Sequence, residues 1–161
     1  MIRICAVTAL LAASVLTGWP ANAAAGPTPV TPVPTTCTVN DVSVTSTTIT
    51  GTGAVDDIEC ENGVNVGTTI TGLGNTDLIT VDGVNAGTID GGDGADLIDV
   101  DGGNAATGSI LGGAGADVIF VTAEDDENGT ANSGKVDGQA DSDVCLFDPA
   151  PSGSPVCEVV V

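Results

Sequence analysis

An all-β solenoid of stacked parallel strands is the fold this sequence predicts. Three observations carry it: a glycine-to-aspartate repeat, a second turn repeat between its copies, and aliphatic columns in step with both. Five times a glycine is followed five residues later by an aspartate that opens a β-type run. The segments are GTGAVDDIEC from Gly51, GLGNTDLITV from Gly72, GGDGADLIDV from Gly91, GGAGADVIFV from Gly112 and GQADSDVCLF from Gly138. Their starts lie 21, 19, 21 and 26 residues apart. A fixed period of this length belongs to architectures in which each unit contacts only its neighbours. The expectation is a parallel β-helix of about five coils, roughly 20 residues each.

The intervening segments supply the other half of each coil. ENGVNVGTTITG, VDGVNAGTIDG, VDGGNAATGSILG and ENGTANSGKVDG each pair an Asn-Gly, Asp-Gly or Gly-Asn turn signal with a short run ending in Ile70, Ile89, Ile110 or Val136. One coil therefore reads turn, strand, turn, strand. Side chains alternate along a strand, so the inward columns follow from the alignment. They are Ile58, Ile79, Ile98, Ile119 and Cys145; Cys60, Val81, Val100, Val121 and Phe147; and Ile49, Ile70, Ile89, Ile110 and Val136. Asn65, Asn85 and Asn104 fall in one register on the turn opposite the glycine loops. They form either a ladder of amide hydrogen bonds or a set of independent turn residues. The outward positions give a column of Leu78, Leu97, Val118 and Val144, with Phe120 and Leu146 beside it. Such a stripe is either a protein contact or a strip shielded beneath the loops.

The glycine loops carry the chemistry. Glycines at the first, second and fourth positions permit positive φ and close backbone approach, so the loop can aim carbonyl oxygens inward. Only the copies from Gly91 and Gly112 keep all three, as Gly91, Gly92 and Gly94 and as Gly112, Gly113 and Gly115. Two other copies place Asn75 or Asp141 at the fourth position, the non-glycine types that best tolerate the left-handed region. Ala54 in the first copy departs from the pattern. In a parallel stack equivalent aspartates sit about 4.8 Å apart. Two such charges repel by roughly 3–4 kcal/mol at an effective dielectric near 20. A divalent cation between them turns that cost into a binding site, and calcium takes oxygens from carboxylates and carbonyls.

The two full copies match GGxGxDxUx, with U a large aliphatic, and the chain over residues 51–147 resembles the RTX, or haemolysin-type calcium-binding, repeat family. The resemblance implies a right-handed β-roll in which consecutive loops on one side hold Ca2+ between them. Carried onto this sequence, the aspartate ligands are Asp77, Asp96, Asp117 and Asp143, with Asp56 in the divergent first loop. Loop oxygens come from Gly91, Gly92, Asp93 and Gly94 and from Gly112, Gly113 and Gly115. The family's usual coil has binding loops on both sides. Here only one side carries the motif, which implies fewer ions.

Composition bounds the rest. Residues 1–23 read as a secretory signal peptide: Arg3, then an apolar stretch from Ile4 to Leu16, then Ala21-Asn22-Ala23 as a cleavage site. That stretch is shorter than the ~20 residues that span a bilayer. Removal of the leader leaves Lys135 against 22 acids, a side-chain charge of −21. Nucleic acid and anionic membranes are poor partners for such a chain. Residues 24–36 are a Pro/Thr-rich linker, 37–147 the solenoid with 38–50 as an incomplete first coil, and 148–161 a closing tail. Proline is absent from 35–148, where ladders need every N–H.

Cys37, Cys60, Cys145 and Cys157 remain after leader removal, an even count that fits disulfides in an exported protein. Four cysteines allow three pairings. Cys37–Cys60 with Cys145–Cys157 is the one that ties each end segment to its neighbouring coil, covering open sheet edges. Catalysis is not expected. There is no histidine or tyrosine, and no arginine after Arg3, so acid–base chemistry would rest on carboxylates already assigned to calcium. Two function classes follow. The first is a secreted calcium-binding repeat protein with a structural or surface-interaction role, contacting a cell-wall component or further copies of itself. The second is a calcium-independent solenoid binding module for polysaccharide or another extracellular ligand. The acidic insertion EDDEN at 124–128 is the candidate for a site peculiar to this chain.

Overall fold

The computed structural model describes residues 31–123 and 132–161. The expected leader, most of the linker and the EDDEN insertion lie outside the described residues. Among the described residues every element is a strand: β1 Thr35–Val39, β2 Val42–Ser46, β3 Thr48–Thr50, β4 Asp57–Cys60, β5 Thr69–Gly74, β6 Leu78–Val81, β7 Thr88–Asp93, β8 Leu97–Val100, β9 Ser109–Ala114, β10 Val118–Thr122, β11 Lys135–Ala140, β12 Val144–Asp148 and β13 Val159–Val160. They make two sheets, ordered β13-β12-β10-β8-β6-β4-β1-β2 and β11-β9-β7-β5-β3. From β3 to β12 the chain passes from one sheet to the other with each half-repeat, so neighbours in this stretch are one repeat apart and pair in parallel.

The aliphatic columns set this register. Ile58, Ile79, Ile98, Ile119 and Cys145 pair in sequence, two residues before Cys60, Val81, Val100, Val121 and Phe147. Ile49, Ile70, Ile89, Ile110 and Val136 form the facing column. All these residues are buried except Phe147, which packs half-buried against the core. A slip of one residue would turn every one of these side chains outward, so burial holds the register tightly. The outward column Leu78, Leu97, Val118 and Val144 is in step as well, with Leu78 and Leu97 each 37% exposed.

Two sequence expectations are corrected. Residues 38–50 are not an incomplete parallel coil. β1 and β2 form an antiparallel hairpin, and β1 lies antiparallel on β4; only β3 joins the parallel stack. The hairpin turns through Asn40 and Asp41, at φ 50° and 66°. Two central residues with positive φ match the twist of paired strands, and Asn and Asp are among the few that accept it. The result covers the first full rung with an element of the opposite direction.

The second correction concerns the asparagines. Asn85, Asn104 and Asn132 occupy one buried register, and the residue aligned with them in the first coil is Val64, not Asn65. The spacing from the preceding core residue is the same in three coils: Cys60 to Val64, Val81 to Asn85, Val100 to Asn104. Register is carried forward from the strand, and the two residues by which the first coil exceeds the second fall after Val64. Asn65 instead turns outward, where its amide donates to the Pro34 carbonyl at 2.9 Å. The three buried asparagines are joined in series, by one amide-to-amide bond and one from a backbone N–H. The Asn85 amide donates to Asn104 Oδ1 at 2.9 Å, and the Asn104 backbone N–H donates to Asn132 Oδ1 at 3.3 Å.

Both ends are tied covalently, Cys37 to Cys60 and Cys145 to Cys157. At the C-terminal end, β13 pairs in parallel with β12, and Val156 bridges to Asp137.

Candidate metal site

The segments from β3 to β4, β5 to β6, β7 to β8, β9 to β10 and β11 to β12 place an aspartate immediately before β4, β6, β8, β10 and β12. Asp56, Asp77, Asp96, Asp117 and Asp143 are all buried, at 1–2% exposure. They stack in one row. The Asp56 N–H donates to Asp77 Oδ1 at 2.8 Å, Asp77 to Asp96 at 2.8 Å, Asp96 to Asp117 at 2.8 Å and Asp117 to Asp143 at 3.0 Å. Oδ1 of Asp77, Asp96, Asp117 and Asp143 therefore accepts from the backbone of the preceding coil. The other oxygen, Oδ2 of Asp77, Asp96, Asp117 and Asp143, is buried with no hydrogen-bond partner.

The first glycine of each loop makes room for that oxygen. A Cβ built on Gly91 would lie 2.5 Å from Asp96 Oδ2 and would collide with the Gly112 carbonyl oxygen of the next coil. Gly72 meets Asp77 Oδ2 and the Gly91 oxygen in the same way, and Gly112 meets Asp117 Oδ2 and the Gly138 oxygen. At the second position Gly92 and Gly113 have φ 107° and 121°, and Leu73 and Gln139 hold 83° and 77° in the other two loops. At the fourth position Asn75 and Asp141 take φ 78° and 80°, the left-handed conformation expected of them. Asp93 is exposed.

The first loop differs. Asp56 Oδ1 accepts from the Asn40 amide at 2.6 Å, and Oδ2 accepts from the Thr52 N–H at 2.5 Å and its hydroxyl at 3.0 Å. Burial pushes this carboxyl up, but the bonds from Thr52 and Asn40 outweigh it and leave it below its ordinary value. Asp77 and Asp96 are shifted up instead, first by burial and then by neighbouring carboxylates, with only partial relief from one backbone N–H each. Asp117 is raised from 3.8 to about 6: burial leads, and Asp96, Asp143 and Asp141 add to it. The signal that sets Asp56 apart, Thr52 four residues before it and Asn40 from the hairpin, was half visible in sequence. The Asn40 half needed the antiparallel cap.

The donor set is all oxygen, with no N–H or O–H supplied to four buried carboxylate atoms. Burying charge without a partner is costly, and such groups are satisfied by a proton or a cation. The residues suit a hard divalent ion by type. Among the described residues no three carboxylate or thiolate groups converge closely enough to hold a metal by themselves, so backbone carbonyls of the glycine loops would have to share the task. What the fold and this row define is a repeat protein of stacked parallel strands with one acidic, glycine-lined edge. No protein-family model matches the chain, and neither a curated protein nor a solved structure matches it significantly.

Proposed function

We propose that this chain is a secreted, non-catalytic calcium-binding repeat protein of the RTX type. In this reading it is a right-handed parallel β-helix of about five coils that acts by contact and is stabilised by Ca2+ between its glycine–aspartate loops. One observation carries the reading: the row of four buried Oδ2 atoms on Asp77, Asp96, Asp117 and Asp143 that lack any donor. Asp77, Asp96, Asp117 and Asp143 would hold the ions together with carbonyls of loops such as Gly91–Gly94 and Gly112–Gly115. Calcium would supply the positive charge that a chain with one base after its leader lacks. Export is supported by the leader-like residues 1–23 and by two disulfides, which persist in oxidising compartments. A cell-wall component or a further copy would dock on the outward Leu97 and Val118 column. Among the described residues no helix is long and apolar enough to cross a membrane.

The test is circular dichroism and thermal melting of the exported chain, first in chelator and then with calcium at about 0.1–1 mM, the range of extracellular modules. A gain in β signal and melting temperature is expected. Equal structure and equal melting in both conditions would overturn the reading.

One observation favours a second reading, a calcium-independent solenoid that binds polysaccharide or another extracellular ligand. The cross-coil bonds from each aspartate N–H already knit the row without any ion. In that case ligand binding would survive chelator unchanged.

A further inference from the structure

The segment after Pro149 carries no repeat motif, yet its pairing is that of one more coil in miniature. Val156 bridges to Asp137 in parallel, as Asp137 pairs with Leu111 and Asp90 with Thr71. Val159 and Val160 then pair with Val144 and Cys145, continuing the stack of the larger sheet. In a full repeat, Gly138 through Asp143 separate Asp137 from Val144; here only Cys157 and Glu158 separate Val156 from Val159. The loop has collapsed, and Glu158 stands directly before its strand where Asp143 stands before Val144.

The chemistry of the position is kept. Glu158 Oε2 accepts the Asp143 N–H at 2.7 Å, the bond that Asp143 Oδ1 accepts from Asp117 and Asp117 Oδ1 from Asp96. A side chain longer by one methylene reaches that N–H from a chain that no longer follows the loop. The disulfide of Cys157 to Cys145 holds the neighbouring backbone against the last coil. Asp143 itself is 1% exposed, and its Oδ2 has no partner. Lys135, the one base after the expected leader, is engaged by Asp137 at 3.0 Å. Glu158, itself exposed, thus closes the row by accepting the N–H of the residue whose Oδ2 is buried without a partner.

We propose that Glu158 is the sixth carboxylate of the array and, with Asp143, a ligand of a terminal divalent-cation site. The proposal rests on the calcium reading above. Because the collapsed loop offers no set of glycine carbonyls, water completes the shell there, and this site is the weakest of the row. Glu158→Gln keeps an oxygen to accept the Asp143 N–H and removes only the charge.

Calcium titration calorimetry of the exported chain, disulfides intact, compares wild type with Glu158→Gln, and both are melted in chelator. The expected result is one fewer ion bound by the variant, or at least a tenfold loss at the weakest site, with unchanged melting in chelator. Identical stoichiometry and affinities, in a wild type that does bind calcium, overturn the role of Glu158 and leave the calcium reading standing. An equal loss of melting temperature with and without calcium makes Glu158 a hydrogen-bonding cap and overturns the proposal too. A wild type that binds no calcium overturns both.

Discussion

The glycine that opens each loop and the aspartate five residues later depend on each other for space. The aspartate can be buried only because the glycine has no Cβ, and the carbonyl of the next coil crosses the same space. This makes a sharp prediction at single positions. Gly91→Ala places a methyl 2.5 Å from Asp96 Oδ2 and against the Gly112 backbone, which cannot move without disturbing the next coil. Its cost should be that of overpacking, about 1–3 kcal/mol or more. Gly53→Ala, with no atom within 4 Å of the added Cβ, should stay within about 0.5 kcal/mol. Urea unfolding of the two variants in chelator measures the difference, and equal stabilities would refute the packing account. The spacing of glycine and aspartate was legible in the sequence because it is local. That each Oδ1 is spent on a neighbour's N–H was not, because that partner lies 19–26 residues away.

At the scale of the element, the turn opposite the loops is held by amides. Asn104 is fully buried; its amide donates to the Lys135 carbonyl at 2.9 Å, and its Oδ1 accepts from Asn85. Asn104→Ala leaves the buried Asn85 amide only a 3.4 Å contact to the Ser109 carbonyl and removes the donor to the Lys135 carbonyl, and should cost about 1–3 kcal/mol, whereas Asn65→Ala, on an exposed bond, should cost well under 1 kcal/mol. Thermal melting of the pair decides between a ladder and simple turn service; equal effects would favour the latter. Sequence alignment on the asparagines placed Asn65 in this row. The strands place Val64 there, because backbone pairing of successive coils starts from the buried Cys60 and Val81 and counts forward. The hairpin is a similar case. Asn40-Asp41 between two Thr/Val-rich runs is a two-residue turn signal that the repeat pattern overshadowed.

For the molecule as a whole, acidity is the dominant constraint. Asp117, raised from 3.8 to about 6 by burial and its carboxylate neighbours, binds its proton more tightly in the folded chain than in the unfolded one. Between these values the native state carries more protons, so metal-free stability falls as pH rises through that window and recovers on acidification. Asp77 and Asp96 act in the same direction. Asp56, shifted down, has the opposite sign, and its contribution is lost only as pH falls below 3.8. Melting in chelator should therefore be higher at pH 5 than at pH 7.5 by roughly 5 °C. On the proposed calcium reading, calcium would compete with protons for the same oxygens and should reduce or reverse that difference. A metal-free melting temperature that rises from pH 5 to pH 7.5 would contradict this assignment.

The sequence by itself determined the all-β class, the repeat, and the three aliphatic columns. A period near 20 residues combined with alternation of two leaves one set of side chains that can be buried, and the strands follow them. Tertiary structure alone decided how the stack ends. The antiparallel hairpin supplies Asn40 to the first aspartate, and the tail brings Glu158 to the last. Neither residue lies in a repeat. Each is recruited because an end coil exposes a backbone or carboxylate group that interior coils satisfy from the next rung, and only the folded chain brings a distant residue to that position.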